Sequence, residues 1–87
     1  MFYNNVPKLD LHGQDRITAS IYTKEFIKDN YNLYQEKIMI VHGVGRGIIR
    51  KTVHNILRKH PLIEDYKLDI YNGGVTLIKI KKKRVNK

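Results

Sequence analysis

Two short stretches of this 87-residue chain carry residue types that could do chemistry. The first is Leu9-Asp10-Leu11-His12-Gly13. Alternating side chains put Leu9 and Leu11 on one face of a short strand and Asp10 and His12 on the other. A carboxylate two residues from an imidazole on one face can orient the ring or share its substrate, which is acid–base chemistry. The plain alternative is a strand with polar residues turned to water. The second stretch is Val41-His42-Gly43-Val44-Gly45-Arg46-Gly47-Ile48-Ile49-Arg50. Three glycines spaced by two free the backbone for φ > 0 and for close approach to a ligand. They lead into a helix, whose first N–H groups form a ready anion site. Arg46 inside the turn and Arg50 one turn into the helix can reach the same anion. Turn chemistry without a ligand is the plain alternative here as well.

The spacing excludes two common nucleotide loops. A P-loop ends in Gly-Lys-Ser/Thr, whereas Ile48-Ile49 follows Gly47 and Lys51-Thr52 comes four residues late. A dinucleotide fingerprint needs its third glycine three residues after the second, and Gly47 is two after Gly45. ATP and NAD are therefore set aside.

Composition bounds the partners. Net charge is +9, and hydrophobic residues make up 41% of the chain, enough for one small domain to fold unaided. Six of the 17 basic residues, Lys79, Lys81, Lys82, Lys83, Arg84 and Lys87, crowd the C-terminus with no acid among them. A basic tail on a mildly basic body points to a polyanion, most commonly nucleic acid. A membrane surface fits poorly because the tail lacks apolar anchors. No apolar run is long enough to span a membrane, and no signal-peptide pattern opens the chain, so a cytoplasmic location is expected. There is no cysteine, which removes disulfides and thiolate metal sites.

The elements that must position the two stretches follow from periodicity. Residues 1–7 form a lead-in in which Phe2 and Tyr3 pack back on the core. A helix runs from an Asp15 N-cap to about Tyr31, with Ala19, Tyr22, Thr23, Phe26 and Asn30 inward and Ile27 beside them. Ile38 to Val41 is a buried strand. A second helix spans about Gly47–Lys59, stops at His60-Pro61, and turns Ile49, Val53, Ile56 and His60 to the core. Its outer face carries Arg50, Lys51, Asn55, Arg58 and Lys59. A strand follows at Tyr66–Tyr71, then a hairpin turn at Asn72-Gly73-Gly74 and a last strand from Val75 to about Lys81. The sum is a βαβαββ two-layer α/β (α+β) sandwich. Right-handed crossovers put both helices on one face of a four-stranded mixed sheet. That topology brings the ends of the first two strands together, so Asp10 and His12 sit next to His42 and the glycine turn.

With these residues in hand, the chain resembles the small MutS-related (Smr) domain family along nearly its whole length. Leu9-Asp10-Leu11-His12-Gly13 is similar to the family's Leu-Asp-Leu-His-Gly signature. His42 to Gly47, with the following Arg50, is similar to its His-Gly-x-Gly-x-Gly signature. Gly74-Val75-Thr76 resembles its late Gly-x-Thr strand. The residue after Gly13, often Leu in the family, is Gln14 here, and the loop before the last strand is short. The resemblance implies a fold like the C-terminal domain of bacterial translation initiation factor three, nucleic-acid binding and, in many members, DNA nicking or RNA cleavage. It implies cleavage roles at Asp10 and His12 and nucleic-acid contact at Gly43, Gly45, Arg46 and Gly47.

The expected organisation is one Smr-like domain over residues 1–81 and a basic tail over 82–87, standing alone where many relatives are parts of larger proteins. The expected function is a nucleic-acid-binding endonuclease. His12 is the general acid or base oriented by Asp10, and His42 is a second proton carrier. Gly43, Gly45, Arg46, Gly47, Arg50, Lys51 and the tail residues Lys81, Lys82, Lys83 and Arg84 bind nucleic acid. No cofactor is required and no metal ligands are assigned, with a single divalent ion left open, since Asp10 is the motif's lone carboxylate and a two-metal centre gathers several. The alternatives are a module that docks nucleic acid or a ribonucleoprotein such as the ribosome without cutting, and a domain that binds an acidic protein. DNA against RNA and the oligomeric state are not legible in the sequence.

Overall fold

The run Lys37–Val41, rich in branched residues, forms the central strand of the sheet. The computed structural model describes residues 5–84. In chain order its elements are β1 (Lys8–Asp10), α1 (Arg16–Asn32), β2 (Lys37–Val41), α2 (Ile48–Lys59), β3 (Ile63–Leu68) and β4 (Val75–Ile80). The sheet order is β1-β2-β4-β3. β1 runs parallel to β2, pairing Asp10 with Val41. β4 runs antiparallel on the other side, pairing Val41 with Val75 and Ile38 with Ile78. β3 closes the far edge against β4, with an irregularity between Ile63 and Asp65.

Alternation along the inner strands makes one face apolar. Ile38, Ile40, Ile78 and Ile80 are buried there together with Leu11. Ala19 and Ile27 of α1 and Val53 and Leu57 of α2 complete the same cluster, so both helices cover one face of the sheet. This is the expected βαβαββ two-layer arrangement.

α1 begins as expected: the Asp15 carboxylate accepts the Thr18 N–H at 2.7 Å. Its inward row is Ala19, Thr23, Ile27 and Asn30. Tyr22, expected inside, is 44% exposed. Asn30 is accommodated because its side-chain amide donates to the Phe26 carbonyl at 2.8 Å.

Two further expectations shift. On α2 the buried row is Val53 and Leu57, with Ile49 and Ile56 at its margin. An i,i+4 row sits over the sheet, so Leu57 takes the place assigned to His60. His60 instead ends the helix, and its Nδ1 accepts the Leu62 N–H at 3.1 Å. The third strand is Ile63–Leu68, three residues earlier than Tyr66–Tyr71. Asp69 and Asn72 end it by accepting the N–H groups of Tyr71 and Gly74 at 3.0 and 2.9 Å. Such side-chain turns compete with ladder pairing. The connection is therefore a loop over 69–74, closed by Asp69 N–H to the Val75 carbonyl at 2.9 Å, and the expected turn at Asn72-Gly73-Gly74 forms its last part, with the Val75 N–H donating to the Asn72 carbonyl at 3.1 Å. The expected packing of Phe2 and Tyr3 lies outside the described residues.

Candidate functional site

The parallel pairing of β1 with β2 sets the two motifs side by side. β1 ends at Asp10, opposite Val41, and the Leu11 N–H continues the ladder to the Val41 carbonyl at 2.7 Å. Leu11 is fully buried and anchors the strand end, while Asp10 and His12 on either side of it are exposed. His12 thus stands at the same pole of the sheet as the turn that follows His42. Within the pair, the Asp10 carboxylate accepts the backbone N–H of His12 at 2.9 Å. It holds the turn that presents the histidine, where direct support of the imidazole was expected.

The glycine turn is built on positive φ. Gly43, Gly45 and Gly47 have φ of +80°, +27° and +80°. Gly47 is the N-cap of α2 and has no side chain to satisfy the first N–H groups of the helix. No acid lies in that first turn either, so the positive end of the helix dipole is open to an anion. The Arg50 guanidinium folds back over Gly47, where an added Cβ would lie 3.1 Å from Nη2. Residues 42–50 line a hollow of about 250 Å³. Arg46 is exposed at its rim.

Behind the turn lies a group that extends the expected site. His42 is only 5% exposed, and both ring nitrogens are engaged. Nδ1 is 2.9 Å from the Gly43 carbonyl and Nε2 is 2.7 Å from Thr76 Oγ1. Nε2 of His54, on α2, is 2.6 Å from the same hydroxyl. A carbonyl can only accept, so Nδ1 of His42 carries a proton and donates to Gly43. In the neutral ring Nε2 then accepts the Thr76 O–H, and Thr76 accepts in turn from His54 Nε2–H. The bonds therefore run in one direction, from α2 through β4 to the turn. The His54 ring also meets Tyr66 edge-on, with centroids 5.2 Å apart.

Burial pushes His42 below the usual imidazole range, the Gly43 hydrogen bond pulls partly back, and the Arg50 charge pushes down again. His54 is lowered by burial first, then by His42 and Arg50. Enclosed and with both ring nitrogens bonded, His42 ties the start of the turn to Thr76 of β4. His54 is not among the expected site residues, and Thr76 enters there only through the Gly74-Val75-Thr76 strand. The Arg50, His54, Arg58 row at i, i+4, i+8 was the available signal.

The basic residues divide between three places. Arg46 and Arg50 belong to the turn. Lys51 lies on a neighbouring groove of about 490 Å³ along α2, with Arg50, His54 and Arg58. Lys81, Lys82, Lys83 and Arg84 leave from the far end of β4, about 17 Å from the turn at ~3.4 Å per residue. Lys83 donates to Asn32 Oδ1 at 3.1 Å and lies 5.3 Å from the centre of the Tyr34 ring. Lys83 thus packs on the end of α1, and Lys81 to Arg84 do not join the Asp10–His12 pole. Among the described residues no three His, Asp or Glu side chains gather as a metal-holding group, and no helix is long and apolar enough to cross a membrane.

Comparison with known proteins places this geometry. The family model described as the Smr domain matches residues 9–81. Endonuclease MutS2 of Clostridium tetani is 31% identical over 77 residues, 85% of this chain and 10% of the relative. Endonuclease MutS2 of Clostridium kluyveri is 33% identical over 76 residues, 84% of this chain and again 10% of the relative. The chain therefore spans about a tenth of the length of the curated relatives it matches. The fold is shared with the crystal structure of the Smr domain of Thermus thermophilus MutS2. The TM-score is 0.82 at 23% identity, covering 87% of this chain and 99% of that one. It is shared equally with YdaL, a stand-alone small MutS-related protein from Escherichia coli, at TM-score 0.82 and 20% identity over 86% of this chain and 64% of that one. The matched span holds the Asp10–His12 strand end, the glycine turn and the Thr76 strand that braces it, and the chain belongs to the Smr domain family.

Proposed function

We propose that this Smr domain is a nucleic-acid endonuclease whose reacting phosphate lies between His12 and the glycine turn. The observation that carries the reading is the juxtaposition of exposed Asp10 and His12 with an uncapped helix start carrying Arg46 and Arg50. Kinship with proteins named endonuclease MutS2 supports it. The first N–H groups of α2 and the two guanidiniums hold the phosphate and stabilise the charge that grows on it in the transition state. His12 moves the proton. On RNA it takes the proton of the 2′-OH, whose oxygen attacks phosphorus. The bond to the 5′ oxygen breaks, and that oxygen takes a proton from solvent. On DNA, His12 activates a water for the same displacement. Asp10 acts by holding the backbone of His12, and His42 by bracing the turn.

A second reading, a module that binds nucleic acid without cutting it, draws on one observation: the Asp10 carboxylate is committed to a backbone N–H. Phosphate contacts then supply most of the affinity, with a steep salt dependence and little sequence preference. The test is incubation of end-labelled single-stranded RNA and of supercoiled DNA, with and without chelator, with wild type and with Asp10→Ala/His12→Ala. Cleavage by the wild type alone supports the endonuclease. Binding by both proteins without cleavage in any arm supports the module.

A further inference from the structure

Ile70 and Tyr71, consecutive in the loop after β3, are 82% and 89% exposed. In a strand one of two neighbours would turn inward; here neither serves the core. Exposed apolar residues in sequence at one place on a small domain mark a surface that meets something. The loop is seated on the glycine turn. The Gly74 carbonyl accepts the N–H groups of both His42 and Gly43, at 2.9 and 3.0 Å. A Cβ on Gly74 would lie 3.2 Å from the Gly43 backbone. Tyr71 is three residues from Gly74, so their Cα atoms are no more than about 11 Å apart. Val44 and Ile48, within the turn and at the start of α2, are also exposed, at 66% and 51%.

The pole therefore combines a cationic, N–H-rich hollow, with Val44 and Ile48 in its lining, and a neighbouring loop that carries Ile70 and Tyr71 and is bonded to the turn through Gly74. A duplex keeps its base faces stacked inside and shows an aromatic ring only phosphates and edges. Unpaired nucleotides offer a phosphate and a free base face together, which is what proteins that bind single strands exploit. Building on the function proposed above, we infer that this site takes single-stranded nucleic acid. Tyr71 is the platform on which a base stacks, beside the nucleotide whose phosphate lies at the glycine turn. Charge complementarity selects this occupant: Arg46 and Arg50 line the hollow together with the apolar Val44 and Ile48, and no acid lies among residues 42–50. The acid of the loop, Asp69, has one oxygen engaged by the Tyr71 N–H.

The test is fluorescence anisotropy at low salt with short labelled RNA and DNA strands of mixed sequence, their duplexes, and an abasic strand of equal length. Proteins are wild type, Tyr71→Ala, Tyr71→Phe and Arg46→Ala, each checked by thermal melting. The wild type binds the single strands more tightly than the duplexes. Tyr71→Ala weakens single-strand binding roughly 5- to 150-fold, the range of one base–aromatic stack. Tyr71→Phe, which keeps the ring, stays within about twofold of wild type, and duplex and abasic binding by Tyr71→Ala also change less than about twofold. Unchanged single-strand binding by Tyr71→Ala, or equal loss on duplex and abasic strands, overturns the stacking role. If Arg46→Ala loses binding while Tyr71→Ala does not, the proposed function stands and this inference fails alone. If the wild type binds none of the strands, both fail.

Discussion

Thr76→Val isolates the hydroxyl that joins α2 to the glycine turn. Thr76 is fully buried, and Val fills nearly the same space, so the change replaces one O–H by a methyl. His42 Nε2, 2.7 Å from that hydroxyl and buried, loses the donor it accepts from. A stranded buried acceptor costs about 1–3 kcal/mol. His54 Nε2–H loses its acceptor, but His54 is half-buried and recovers part of the loss from water, so this adds about 1 kcal/mol. The new buried methyl returns about 0.8 kcal/mol. The expected net loss is about 2 kcal/mol, or roughly 8–16 °C in Tm for a domain of this size. Urea denaturation followed by circular dichroism measures it, with Thr76→Ser as the comparator. Ser keeps the hydroxyl and loses one buried methyl, a cost of about 1 kcal/mol. If Thr76→Val is no less stable than Thr76→Ser, the directional chain from His54 to Gly43 does not contribute as argued.

Three more outcomes are expected. Asp10→Asn keeps an oxygen that can accept the His12 N–H and retains most of the cleavage, whereas Asp10→Ala loses about 10- to 100-fold through misplacement of His12; equal loss in quantitative cleavage assays would mean that the charge of Asp10 acts directly. Gly74→Ala drives a Cβ against the Gly43 backbone at 3.2 Å, destabilises by about 1–3 kcal/mol, and shifts the amide signals of Gly43, Gly45 and Gly47; unchanged stability and spectra would refute that packing. His42 and His54 titrate below the ordinary histidine value of 6.5 when folded, so just below that value the unfolded chain binds more protons. Stability is then level above about pH 7 and falls as pH drops through about 6.5. Urea midpoints between about pH 5.5 and 7.5 measure this, and His54→Gln, which keeps a donor near Thr76, makes the fall shallower; a flat wild-type profile would contradict it.

Most of the fold was legible because its signals are short-range. The Asp15 cap, the branched run of β2 and the switch from period two to period 3.6 after Gly47 each depend on neighbours a few residues apart. Parallel β1–β2 pairing followed from one topological rule, and it placed Asp10 and His12 beside the turn correctly. The start of β3 was misread because Tyr66, Leu68 and Ile70 alternate like a strand, while the side chains of Asp69 and Asn72 prefer to close turns on their own backbone. What the sequence by itself determined was therefore the set of elements, the two signatures and the sign of the surface charge.

Tertiary structure decided which distant residues work together. Thr76 is 34 residues from His42 and 22 from His54, and no local pattern links them. Register between β2 and β4, which sets Ile40 opposite Thr76, brings the hydroxyl under the turn and within hydrogen-bond reach of His42. The basic tail shows the converse. Its charges look like part of one cationic surface in the sequence, but β4 runs away from the turn, and strand direction carries Lys81 to Arg84 to the opposite pole. Charge is a property of composition; where it stands relative to a reacting phosphate is set by which strands pair and in which direction.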